Sequence, residues 1–138
     1  EPEDPEYEYP FGLVGFELPC SSATVRVYFH GASELIGYEY RKYGPTIPGD
    51  PATEGWYTLP GVTFGSEDIG GSRVAYAEFS LTDGQLGDDT GVDGRIVDQG
   101  GPGQQQATVV PTMTQWGMMV FMVAAAATAV WYMRRQRV

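Results

Sequence analysis

Arg73-Val74-Ala75-Tyr76-Ala77-Glu78-Phe79-Ser80-Leu81 alternates as a half-buried strand must, with Ala75, Ala77, Phe79 and Leu81 on one face and Val74, Tyr76, Glu78 and Ser80 on the other. Gly70-Gly71 just ahead of it is a turn signal. Upstream, Ala23 to His30 repeats the pattern, placing Val25, Val27 and Phe29 opposite Thr24, Arg26, Tyr28 and His30. Further strands are predicted over Phe11 to Leu18, Gly37 to Tyr43, Gly55 to Leu59, Val62 to Phe64 and Arg95 to Val97. Gly44-Pro45 is expected to turn the chain after Gly37 to Tyr43, and Pro60-Gly61 to join two short strands. A row of short strands punctuated by glycine and proline predicts a mainly β protein. The reading is a single β-sandwich-like domain over residues 11–99, followed by one long C-terminal hydrophobic α-helix over 111–138.

Two flanking segments read differently. Residues 1–10 hold five acids among prolines and tyrosines, and predict an acidic, extended, solvated arm. Tyr7 and Tyr9 would also suit that arm to docking on a neighbouring subunit. Residues 100–110, rich in glycine and glutamine, predict a flexible linker.

Beyond the linker, Trp116 to Met133 runs 18 residues without a charge. As a helix it reaches roughly 27 Å, close to the thickness of a bilayer's hydrocarbon core. Pro111 and Thr112 supply a helix start, and Arg134, Arg135 and Arg137 follow the last apolar residues. The positive-inside bias keeps those arginines in the cytoplasm and exports everything before Thr112. Ala124, Ala125, Ala126, Ala127, Thr128 and Ala129 give the run a small-surfaced face on which helices approach closely. The segment therefore suits either a lipid-facing anchor or a helix packing with copies of itself, and repeated contacts that do not close would build a filament. The chain begins at Glu1 with no apolar leader, so a signal peptide is expected to have been removed.

All 18 acidic residues lie at or before Asp98, against five of the eight basic ones. So acidic a domain repels nucleic acid and anionic lipid, which excludes nucleic-acid binding. Cys20 is the sole cysteine and cannot close an internal disulfide.

Val110-Pro111-Thr112-Met113-Thr114-Gln115-Trp116-Gly117, with its apolar run and arginine end, resembles the IPTL-CTERM sorting signals of exported proteins in Gram-negative bacteria that have an exosortase. Val110 and Met113 stand where the family name has isoleucine and leucine. The stretch Leu81-Thr82-Asp83-Gly84-Gln85-Leu86-Gly87-Asp88-Asp89, continued by Asp93 to Pro102, is similar to the ending of the choice-of-anchor U domain, as are Tyr40-Arg41-Lys42-Tyr43-Gly44 and Trp56-Tyr57. The resemblance implies a bacterial surface protein with an exchangeable anchor, the membrane and an exosortase-type processing enzyme as partners during export, and no particular activity.

Little in the chain points to catalysis. His30 is the only histidine, no phosphate loop or zinc spacing is present, and Cys20 with His30 lacks an orienting third group. Asp83, Asp88, Asp89, Asp93 and Asp98, interleaved with glycines, supply the oxygen ligands that a hard cation such as calcium requires. The same aspartates also suit turns in which the side chain bonds its own backbone. Tyr28, Tyr38, Tyr40, Tyr43, Trp56 and Tyr57 suit a carbohydrate or protein contact face, or cross-strand packing. Together these readings predict a non-catalytic structural protein of the bacterial cell surface, self-associating or anchored through its C-terminal helix. The alternative is a calcium- or glycan-binding adhesin on the same helix.

Overall fold

The computed structural model describes residues 2–107 together with Met122, Trp131, Tyr132 and Arg135. The chain divides into two compact units, 1–106 and 107–138. The first unit is mainly β: β1 (Tyr7–Glu8), β2 (Val14–Leu18), β3 (Ser22–Phe29), β4 (Tyr38–Pro45), a short 3-10 turn (Pro51–Thr53), β5 (Glu54–Thr58), β6 (Thr63–Ile69), β7 (Ser72–Thr82) and β8 (Ile96–Gln105).

The strand that opened the sequence reading, β7, is the centre of a three-stranded antiparallel sheet in the order β3-β7-β6. Its Ala75, Ala77, Phe79 and Leu81 are buried, as the alternation requires. Gly70 and Gly71, at φ +60° and +84°, make the tight turn that joins β6 to β7 and sets Ile69 opposite Ser72. The second sheet is antiparallel and built on β8. One edge of β8 pairs with β4, which carries β5 beyond it; the other pairs with β2 along residues 96–100 and with β1 at Gln104 and Gln105. Phe29, Phe79 and Leu81 from the first sheet share one apolar core with Tyr40 and Ile96 from the second and with Leu59 just past β5. The Tyr40 and Phe79 rings, 4.7 Å apart, join the two sheets.

Three expectations need correction. The stretch Gly100 to Gln105 belongs to β8 and not to a linker. Its glycines serve close packing: a Cβ on Gly100 would lie 2.7 Å from the Arg41 carbonyl and 2.8 Å from the Tyr40 ring, and one on Gly103 would lie 2.8 Å from Arg41 Cγ. Pro102 falls between the β2 and β1 partners on one edge of β8, where a residue without an N–H is tolerated.

The acidic arm is likewise no solvated tail. Tyr7 and Glu8 add a strand to β8, and Asp4 is buried beside Arg41 at 3.0 Å while accepting a 2.6 Å hydrogen bond from the Tyr9 hydroxyl. Trp56 Nε1 donates to the Pro2 carbonyl at 2.9 Å, so the arm docks on its own domain. Finally, Gly44-Pro45 ends β4 in extended form, paired with Gly55 and Glu54, and the chain turns after it.

The helix expected over 111–138 lies outside the described residues except at the four positions named above. So do Val110, Pro111, Thr112, Met113, Trp116, Gly117, Arg134 and Arg137, and the face Ala124, Ala125, Ala126, Ala127, Thr128 and Ala129. Among the described residues no helix is long and apolar enough to cross a membrane.

Candidate functional site

The most unusual chemistry lies where β4 crosses β8. Tyr38, Tyr40 and Lys42 alternate onto the inward face of β4, and Lys42 sits opposite Gly100, so that Asp98, two residues back along β8, stands on the same face. Lys42 and Asp98 are both wholly buried, with side chains at 0% exposure. The Lys42 ammonium touches Asp98 Oδ1, lies 3.4 Å from Asp89 Oδ1 and donates to the Gly87 carbonyl at 2.5 Å.

Neighbouring glycines make the space. A Cβ on Gly100 would press on Lys42 Cγ at 3.0 Å, and one on Gly44 would collide with Asp89 Oδ1. Asp89 is held in place by its backbone: its N–H donates to the Val97 carbonyl at 2.9 Å, and its carbonyl accepts from Gly49 N–H at 3.2 Å.

Burial dominates the electrostatics here. Desolvation raises the Asp98 carboxyl above its ordinary range despite the opposing Lys42 charge. It also pushes Asp89 up to about 6, against Lys42 and with help from Asp98 and Asp88. Apart from Lys42, no described residue donates a hydrogen bond to either Asp98 oxygen. The hydroxyls of Tyr40 and Tyr57 are buried and unpartnered too. Both phenols are raised, by burial first and then by the nearby carboxylates. Asp89 reaches the surface at a cleft of about 290 Å³ that Gly44, Gly49, Glu54 and Gln99 also line.

The five aspartates of the sequence motif divide into two jobs. Asp88 accepts from Gly84 N–H at 2.8 Å, Val97 N–H at 2.9 Å, Thr90 N–H at 3.3 Å and the Thr90 hydroxyl at 3.1 Å. Asp83 accepts from the N–H groups of Asp93 and Gly94, and Asp93 from that of Arg95. These three fix the loop between β7 and β8 by bonding its backbone. Asp89 and Asp98 instead flank Lys42. Among the described residues, no three His, Cys, Asp or Glu side chains gather as a cation site would require.

Nor do the aromatics make one face. Trp56 stacks on Tyr9 at 5.3 Å and meets Tyr43 at a tilt at 5.4 Å, whereas Tyr40 lies in the core and Tyr38 packs on Phe11. Tyr28 belongs to the other sheet, donating to Glu67 at 2.6 Å. The eight residues of β3 separate Cys20 from exposed His30, so the two do not meet.

Lys42 enters the sequence reading only within Tyr40-Arg41-Lys42-Tyr43-Gly44 and not as a site residue, because it sits in a tyrosine-rich strand. The available signal was its phase, two residues after Tyr40, matched by Asp98 two residues after Ile96. No protein-family model, curated protein or solved structure matches the chain.

Proposed function

We propose that the chain is a non-catalytic structural protein of the bacterial cell surface: an exported β domain carried on a C-terminal apolar helix, which anchors it in the membrane or packs with its copies as a filament core. The observation that carries this is the division of the chain. A β unit with its own core ends at Gln106, and the uncharged run with its arginine end occupies the unit that follows. Trp131, Tyr132 and Arg135 are helical, and the Arg135 guanidinium lies 5.4 Å from the centre of the Trp131 ring four residues earlier, which supports the helical reading. The resemblance to IPTL-CTERM signals supports export, with an exosortase-type enzyme as the processing partner. The aromatic cluster of Trp56, Tyr9 and Tyr43 favours a second reading, a glycan-binding adhesin on the same helix.

Electron microscopy and detergent extraction of the full chain test the proposal. Filaments, or a protein that leaves the membrane fraction only with detergent, are expected, and truncation after Gln106 should abolish both. A full chain that is monomeric in detergent-free buffer would overturn it.

A further inference from the structure

We propose that Lys42 and Asp98 condense into an intramolecular amide that staples β4 to β8, with Asp89 as the group that relays the proton. The nucleophile and its target carboxyl group are in contact, each on a strand of the same sheet and each wholly buried. Reacting groups fixed in this way behave as if at effective concentrations of about 10⁵ M or more, and the site excludes the bulk water that would reverse the reaction. Apart from Lys42 itself, no described residue donates a hydrogen bond that would hold the Asp98 oxygens as a settled carboxylate. As a permanent ion pair the arrangement makes poor use of the core, since two buried charges lose several kcal/mol of hydration each, about as much as their attraction returns. As an amide it carries no charge.

The chemistry closes without an external reagent. The Lys42 ammonium passes one proton to the Asp98 carboxylate it touches, leaving an amine beside a carboxylic acid. The Lys42 nitrogen attacks Asp98 Cγ, forming the C–N bond. Asp89, whose oxygen lies 3.4 Å from that nitrogen, takes the proton it sheds and delivers it to the departing Asp98 hydroxyl. The C–O bond breaks and one water leaves. Ammonium plus carboxylate thus become amide plus water, nothing is oxidised or reduced, and Asp89 ends as it began. The surface cleft that Asp89 lines gives the product water its way out.

The bond would form whether the C-terminal segment sits in lipid or among its copies. It would close a long loop between β4 and the last strand of the domain, so that the chain could not be drawn out straight from its C-terminal end.

Denaturing tryptic digestion of the full chain with mass spectrometry tests it. The expected product is a branched peptide joining the Lys42-containing fragment to the fragment that begins at Ile96, lighter than the two together by one water. It should be lost in Lys42→Ala and in Asp98→Ala, and should accumulate more slowly in Asp89→Asn. The branched peptide is decisive because cyclisation at Glu1, or at Asp83-Gly84 or Asp93-Gly94, also removes water without joining fragments. Quantitative cleavage after Lys42 with a linear Ile96 fragment would overturn the proposal, as would a branch to the Asp89 fragment, which ends at Arg95. The wild-type digest decides even if the variants do not fold.

Discussion

The two sheets handle charge in opposite ways. On the β3-β7-β6 sheet, Arg26 bridges Glu67 at 3.1 Å and Glu78 at 2.6 Å, and all three side chains keep 37–42% of their surface in water. On the β8 sheet, Lys42 and Asp98 keep none. Both clusters pair a cation with two carboxylates, yet only the Lys42–Asp98 pair has surrendered its hydration. A solvated network of this kind decorates a sheet whose fold is already decided by Phe79 and Leu81 beneath it. The buried one cannot be neutral in its effects, because any change that strands one partner leaves a charge with no water to turn to.

That contrast is broken most severely by Asp98→Ala. It leaves the Lys42 ammonium in the core with Asp89 as its remaining counter-charge, and should destabilise the domain by about 3–5 kcal/mol. Urea unfolding followed by tryptophan fluorescence measures it. The double variant Lys42→Met with Asp98→Leu strands no charge and should recover part of that loss. A recovery that is complete would argue that the ion pair alone accounts for the site, whereas a persistent deficit is what the loss of a covalent staple leaves behind.

The same division runs through what the sequence disclosed. The β3-β7-β6 sheet was legible because Val25, Val27 and Phe29, and Ala75, Ala77, Phe79 and Leu81, keep period two, with Val74 the one buried apolar residue of β7 on the opposite face. The β8 sheet was legible only in part: strands were predicted where β2, β4, β5 and the start of β8 lie, but each of its rule-breaking residues has a reason only its partners reveal. Gly100 to Gly103 read as a linker, since a sequence cannot tell glycine used for freedom from glycine used to let Tyr40 and Arg41 approach. Asp4 read as solvated because its partner Arg41 lies 37 residues away. Of the candidate site, the aspartate-rich loop was visible as a motif, but its split into backbone-bonding Asp83, Asp88 and Asp93 and lysine-flanking Asp89 and Asp98 depends on the β4–β8 register. Violations of local pattern concentrate at such sites, which makes an inward-phased lysine worth seeking in any strand.

A smaller effect is expected from pH. The Asp89 carboxyl is raised to about 6 in the fold, above its ordinary value of 3.8, so between those values the native state holds a proton that the unfolded chain releases. Its contribution to stability is therefore full below about pH 4 and is lost as pH rises through about 6. Relative to Asp89→Asn, which does not titrate, the wild type should lose stability across that window and run parallel to it above. Formation of the amide would not reverse the sign, since it removes the Lys42 charge, which is what holds Asp89 down. A difference between the two proteins that is flat from pH 4 to 7 would place Asp89 in water, not against Lys42.

The smallest effect belongs to the exposed cluster. Arg26→Ala removes both bridges and the guanidinium resting 4.3 Å over the Tyr76 ring, but Glu67 and Glu78 are then simply rehydrated, and Tyr28 still donates to Glu67. The loss should be a small fraction of that in Asp98→Ala and should shrink further as salt is raised, because solvated charges are screened over a Debye length of about 10 Å at 0.1 M. Melting curves of wild type and variant at low and high salt measure both the size and the trend. A loss comparable to that of Asp98→Ala, or one indifferent to salt, would mean that the outer face of β3-β7-β6 is itself shielded from water, as it would be if a partner surface covered it.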